Sequence, residues 1–101
     1  MTPLKGSQRK YLRGLAHHLN PAAIVGHKGI TSALTDEINI ALDAGELIKI
    51  KFSDHKEKEV KTALIEEIAS TTKSHVAGVI GHVAILYRQH SDPEKRKIKL
   101  P

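Results

Sequence analysis

Ile24-Val25-Gly26-His27-Lys28-Gly29-Ile30-Thr31 is the stretch whose reading decides the fold. Two β-branched residues run into a glycine, Lys28 sits between two glycines, and Thr31 opens a helical pattern. A strand end, a tight loop and a helix N-terminus are therefore expected to meet here. Glycine at both ends permits positive φ and lets another molecule approach without a Cβ in the way. The first turn of the following helix leaves backbone N–H groups unpaired, and the helix dipole favours an anion there. With Lys28 at the tip, this is the composition of a phosphate clamp. G-x-x-G is common, however, and the motif alone favours a structural strand-to-helix turn with a solvated lysine. The surrounding chain has to decide.

Upstream, residues 5–19 read as a helix, with Tyr11, Leu12, Leu15 and Leu19 as its apolar stripe. Lys5, Arg9, Arg13 and His17 recur every four residues along an adjacent face, with Lys10 at its edge and no acidic residue in the segment. Ordinary helix surfaces mix signs for i,i+4 pairing, so a one-sign face is either simply solvated or a surface for RNA or DNA phosphates. Asn20-Pro21 ends the helix, because proline disfavours α geometry in the residue before it. Ala22–Val25 is then a short strand leading into the Gly26–Gly29 loop.

Downstream, a second helix spans Ser32–Ala44, with Ile30, Leu34, Ile38, Ala41 and Leu42 facing the core. Thr31 or Ser32 caps its start and Gly45 is placed as its C′ residue. Asp36, Glu37, Asp43 and Glu46 make this helix acidic, so only its N-terminus suits a nucleic acid. Leu47–Ser53 is a strand that carries Lys49 and Lys51 on one side, because side chains two apart share a face. Asp54 with Glu57 resembles a capping pair for a third helix that runs to Lys73 and buries Val60, Ala63, Leu64 and Ile68. Its mixed charges read as a solvated surface. Val76–Ile80 and Val83–Tyr87 form a hairpin about Gly81-His82. The tail 91–101, with Lys95-Arg96-Lys97-Ile98-Lys99, reads as mobile or a short edge strand. The order α-β-α-β-α-β-β predicts a layered α/β domain, three helices packed with a sheet of about four strands.

The 101 residues suffice for one domain, 1–101, with its own core. The absence of cysteine excludes disulfides, thiolate metal sites and a cysteine nucleophile. No apolar run approaches a membrane span, and Met1-Thr2-Pro3-Leu4-Lys5 lacks a signal peptide's hydrophobic core, so a cytoplasmic protein without a membrane partner is expected. A net charge of +5 points to a polyanionic partner. With two tyrosines, one phenylalanine and no tryptophan, wide base-stacking platforms are not expected, and contact should be mainly to backbone and shape. The seven histidines scatter without H-E-x-x-H or Cys/His spacing, so no metal site is expected. The adjacent carboxylates Glu66-Glu67 and Asp36-Glu37 have no placed partner for acid–base chemistry, and no catalytic motif is present. Neither enzymatic activity nor a cofactor is expected.

With its elements placed, the chain resembles the YhbY family of single CRM-domain (chloroplast RNA splicing and ribosome maturation) proteins. The matching residues are Leu4, Gln8-Arg9-Lys10-Tyr11-Leu12-Arg13-Gly14-Leu15-Ala16-His17, Pro21 and Val25-Gly26-His27-Lys28-Gly29-Ile30-Thr31. They continue in Glu46-Leu47-Ile48-Lys49-Ile50-Lys51, Val79-Ile80-Gly81, Leu86-Tyr87-Arg88 and Ile98-Lys99-Leu100-Pro101. Two positions depart from the family pattern. Gly6-Ser7 replaces a more usual Thr/Lys pairing, which predicts a looser helix start, and His82 stands where lysine is frequent.

The resemblance implies an RNA-binding α/β fold similar to the C-terminal domain of a bacterial translation initiation factor. It also implies a KH-like G-x-x-G clamp formed by Gly26, His27, Lys28 and Gly29, and a basic helix with Arg9, Lys10 and Arg13. Bacterial members resemble ribosome-assembly proteins, which implies large-subunit rRNA, or its precursor particle, as partner. Thr31, Lys5, Lys49 and Lys51 complete the candidate RNA-binding set. Two rivals remain: a protein-interaction module whose basic face docks on an acidic ribosome-associated partner, and a duplex-DNA binder. The second lacks a helix-turn-helix pair. A monomer is expected, because no apolar surface stripe is left once three helices are assigned.

Overall fold

The computed structural model describes residues 3–101. Met1 and Thr2, read above as part of a segment without a signal peptide's hydrophobic core, lie outside them. The elements are α1 (Gly6–Ala16), β1 (Pro21–Val25), α2 (Ser32–Gly45), β2 (Leu47–Phe52), α3 (Lys58–Thr72), β3 (His75–Ile80) and β4 (Val83–Tyr87), followed by a 3-10 turn at Pro93–Lys95. The strands form a four-stranded sheet in the order β1-β2-β4-β3. β1 runs parallel to β2, and the other two pairings are antiparallel. Edge strand β1 begins with Pro21, where the missing N–H interrupts no interior ladder. No described helix is long and apolar enough to cross a membrane.

Strand β2 lies next to the centre and divides the molecule. Its residues Ile48, Ile50 and Phe52 point to one face, where they pack with Leu34, Ile38 and Leu42 of α2 and Ile65 and Ile68 of α3. Leu47 points to the other face and packs with Leu12 and Ala16 of α1, Ala77, Ile85 and Tyr87. The two cores lie on opposite sides of one sheet, giving a three-layer arrangement. Fully burying a side chain such as Phe52 or Ile50 stabilises by about 1.5–3 kcal/mol relative to leaving it exposed.

Several boundaries and faces differ from the expectations. Helix α1 ends at Ala16, well before Asn20-Pro21, and buries only Leu12 and Ala16 fully. Tyr11, Leu15 and Leu19 stay 41%, 39% and 38% exposed. A helix lying on a sheet buries a narrow arc; Tyr11 and Leu15 fall on its flank, and Leu19 lies beyond its end. An apolar stripe is therefore left over, so the premise for expecting a monomer does not hold. The start of α1 is not displaced by Gly6-Ser7, since the helix begins at Gly6 and Gln8 Oε1 accepts from the Lys5 N–H at 3.0 Å.

In α3 the buried face is Ile65, Ile68 and Thr72, while Val60 and Ala63 are exposed. The Asp54–Glu57 capping pair does not form. Glu57 makes no side-chain cap, and Asp54 Oδ1 accepts from its neighbour, the His55 N–H, at 2.7 Å.

Gly45 is the last residue of α2, and the cap position with φ 64° falls on Glu46. A side chain there is strained, yet Glu46 is buried and its carboxylate explains the placement. Oε2 accepts from the His90 N–H at 2.7 Å, and Oε1 accepts from the N–H groups of Lys97 and Ile98 at 2.6 and 2.9 Å. Glu46 is thus a structural anchor, not part of an acidic helix surface. The tail, expected to be mobile or an edge strand, forms no strand. It is tied to Glu46, Ile98 and Leu100 pack on the α1-side core, and Gln8 Nε2 donates to the Pro101 carbonyl at 3.2 Å.

Burial pushes the Glu46 carboxyl up, but the His90, Lys97 and Ile98 N–H groups outweigh it and hold the pKa below its ordinary 4.5. A carboxyl that titrates lower folded than unfolded contributes its stability above the unfolded value and loses it as pH falls through the folded one. Glu46→Ala, which leaves three backbone donors without their acceptor, should lower unfolding free energy by about 3 kcal/mol at pH 7. In chemical denaturation, wild-type stability should fall on acidification below pH 4.5, and more steeply than that of Glu46→Gln.

Candidate nucleic-acid interface

The loop predicted as a clamp is a four-residue turn. The Gly29 N–H donates to the Gly26 carbonyl at 3.0 Å, leaving His27 and Lys28 exposed at the tip. Gly29 has φ +66°, a conformation that favours glycine. Gly26 is different. Its φ is not in the left-handed region, and a Cβ there would come no closer than 3.8 Å to Ser53 Oγ. Nothing inside the chain requires glycine at 26, which leaves an open backbone surface beside Lys28. Thr31 caps α2, its Oγ1 accepting from the Leu34 N–H at 3.1 Å. Its hydroxyl proton remains free to donate.

The loop is braced from across the fold. The Ser53 N–H donates to the Val25 carbonyl at 3.0 Å, extending the β1–β2 pairing by one residue. His55, itself at φ 55°, places Nε2 at 3.0 Å from the His27 carbonyl. The Asp54 carboxylate lies 3.6 Å from His27 Nδ1, and the His55 backbone N–H beside it holds its pKa below the ordinary value. These contacts were missed at the level of sequence. They join residues 27 or 28 positions apart, and the only local signal, Asp54, reads equally as a helix cap.

The predicted cations fall largely on the α1 side of the sheet. Lys49 and Lys51 alternate with Ile48 and Ile50, so they share the face of Leu47. Lys49 Nζ donates to the His17 carbonyl at the end of α1, at 3.4 Å. Lys51 is exposed and pairs in register with Ile24, two positions before Gly26. The two lysines therefore carry positive charge from the end of α1 toward the loop. Arg13, His17 and Lys49 line one groove with Ile80, Val83 and Ile85.

Of the α1 cations, Lys5 and Lys10 are exposed. Arg9 also reaches the Leu4 carbonyl at 2.7 Å. Arg13 is half-buried, donates to the Ala77 carbonyl at 3.2 Å and crosses Gly78, where a Cβ would sit 2.5 Å from Arg13 Cδ. Gly78 is thus the glycine that lets Arg13 through, and Arg13 braces α1 as well as adding charge.

None of the eleven acidic residues lies in α1 or in a strand, whereas Asp36, Glu37 and Asp43 are on α2 and Glu59, Glu66 and Glu67 on α3. Acid is therefore kept off α1 and the strands, while α3 is mixed, with Lys58 and Lys61 beside its glutamates. Among the described residues, no three His, Asp and Glu side chains come together as a metal site.

The model of the CRS1/YhbY (CRM) domain family matches residues 4–88. A Haemophilus influenzae protein named as an RNA-binding protein is 42% identical over 101 residues, covering 100% of this chain and 98% of its own. YqeI of Bacillus subtilis, named a probable RNA-binding protein, is 34% identical over 98 residues, 97% of this chain and 99% of that one. The solution structure of a Staphylococcus aureus protein superposes with a TM-score of 0.81 at 32% identity, covering 97% of this chain and 99% of that one.

The two loop glycines should separate in a stability measurement. Gly29→Ala should cost about 1 kcal/mol in denaturant unfolding, and Gly26→Ala should stay within about 0.5 kcal/mol of wild type. Equal losses at both sites would show that glycine at 26 is also a demand of the fold.

Proposed function

The chain belongs to the CRS1/YhbY (CRM) domain family, and from that premise we propose that it clamps structured ribosomal RNA on the precursor of the large subunit during assembly. RNA binding is what the relatives' names state. The observation that carries the finer reading is the exclusion of acid from α1 and from every strand. A surface with Lys5, Arg9, Lys10, Arg13, Lys49 and Lys51 and no acid in its helix or strands favours a phosphate backbone on that side.

The loop supplies the positioning. Gly26 lets a sugar-phosphate strand approach the backbone, Lys28 places a charge at the tip, and the α2 N-terminus offers unpaired N–H groups and a favourable dipole. The brace from His55 to the His27 carbonyl holds the turn in place before RNA arrives, which reduces the ordering cost of binding. Contacts of this kind read phosphate position and RNA shape more than base identity. The acidic body of α2, with Asp36, Glu37 and Asp43, would face away from the RNA. We further propose that the protein acts in the cytoplasm, where such precursor particles occur in bacteria.

Titrations with structured RNA over a range of salt test the clamp. Lys28→Ala should weaken binding alike on many sequences and lower the salt slope by about one, since one phosphate contact is lost. Gly29→Asp should weaken it further, through repulsion and loss of the turn. Crosslinking and sequencing of bound RNA in cells tests the target. Reads on precursor large-subunit rRNA that vanish in Lys28→Ala/Gly29→Asp support the assignment, and reads spread over unrelated transcripts overturn it.

A further inference from the structure

Helix α1 carries two different exposed surfaces. On one flank lie Arg9 and Arg13, and on the other Tyr11 and Leu15, at i and i+4. Between them, on the side away from the sheet, sits Gly14. Ser7, Lys10, Tyr11, Gly14, Leu15 and Pro101 line a single shallow groove there.

Gly14 has no reason to be glycine within the chain. It lies inside a regular helix, where glycine is less favourable than every residue except proline. Its φ is not left-handed, and a Cβ built on it meets no heavy atom within 4 Å. What the missing side chain does provide is a flat floor. The Tyr11 ring, 41% exposed, stands at one side of that floor and Leu15, 39% exposed, beside it. Lys10 forms the cationic rim, with no acid anywhere on the helix.

We propose that this face of α1 is a stacking site for an unpaired nucleobase of the bound RNA, with the base on the Tyr11 ring over Gly14 and its phosphate toward Lys10. The proposal rests on the RNA-binding reading above and adds what that reading lacks, a contact specific for unpaired nucleotides. An aromatic ring flanked by a bare backbone and a cation is the chemistry by which proteins hold single-stranded bases without reading their edges. A helix face that only met duplex phosphates would need neither the exposed ring nor the glycine. An acidic protein surface would be drawn to the same cations, and the test separates the two.

The protein has two tyrosines and no tryptophan, and Tyr87 is buried, so quenching of tyrosine emission by a bound base reports on Tyr11. The probes are an unstructured oligoadenylate and an RNA duplex with the same number of phosphates. Oligoadenylate should quench the emission of Tyr87→Phe, which comes from Tyr11 alone, and not that of Tyr11→Phe, which comes from Tyr87. Tyr11→Ala should bind oligoadenylate on the order of tenfold more weakly with an unchanged salt slope, because the lost contact carries no charge. Tyr11→Phe should retain wild-type affinity, Gly14→Val should lose affinity with its helix content intact, and duplex affinity should stay within about twofold of wild type in all of them.

Wild-type oligoadenylate affinity in Tyr11→Ala, with Lys28→Ala still impaired, overturns the stacking site and leaves the clamp standing. Wild-type affinity in both variants overturns the clamp as well. A Tyr11→Ala protein that binds RNA normally but no longer sediments with precursor particles assigns the face to a protein partner, which also overturns the proposal.

Discussion

The alternation of side chains along β2 is the constraint on which the rest of the structure depends. A strand buried on both faces would read as continuously apolar, and one facing solvent would alternate fully. β2 does something intermediate. Ile48, Ile50 and Phe52 fill the core beneath α2 and α3, while the opposite face begins with buried Leu47 and ends with Lys49 and Lys51. Helix α1 covers the Leu47 end and leaves the lysine end open. A one-residue slip in register would bury both lysines and expose three large apolar side chains, so the register is strongly specified. The same period of two that closes the core therefore places the positive charge.

The tail is organised by a second constraint, at the junction of α2 and β2. Glu46 occupies a backbone conformation usually given to glycine, and Gly45 beside it does not. The carboxylate offsets that strain by satisfying three N–H groups of a segment that otherwise has no strand partner. Its backbone carbonyl also accepts from the Arg88 N–H at 2.8 Å as the chain leaves β4. The end of a helix, the start of the central strand and the C-terminal segment are thus held at one residue. Because the tail is held there, Ile98 and Leu100 complete the α1-side core and Pro101 reaches the edge of α1.

The surface α1 presents follows from this packing. A helix pressed on a sheet between a hairpin and a docked tail buries little more than Leu12 and Ala16. Its cations lie toward the hairpin, where Arg13 is locked over Gly78, and its apolar flank lies toward solvent. The G-x-x-G turn sits at the far end of β1, braced by His55. One fold thus offers a rigid loop, a basic sheet face and an aromatic helix face to the same side of the molecule or its edge.

Element types and their order were legible in the sequence because side-chain direction repeats every two residues in a strand and every 3.6 in a helix. The loop glycines, the Thr31 cap, the Gly81-His82 turn and the shared face of Lys49 and Lys51 are local signals of this kind. Which arc of α1 and α3 is buried was not legible, since periodicity marks an apolar stripe without saying how much of it a neighbour will cover. That left Leu15, Leu19 and Val60 assigned to cores they do not join. The His55 brace, the Glu46 anchor and the bond from Arg13 to the Ala77 carbonyl join residues 28, 44 to 52 and 64 positions apart. Composition and spacing carry no trace of such contacts, because only the packing of distant segments brings their donors and acceptors within reach.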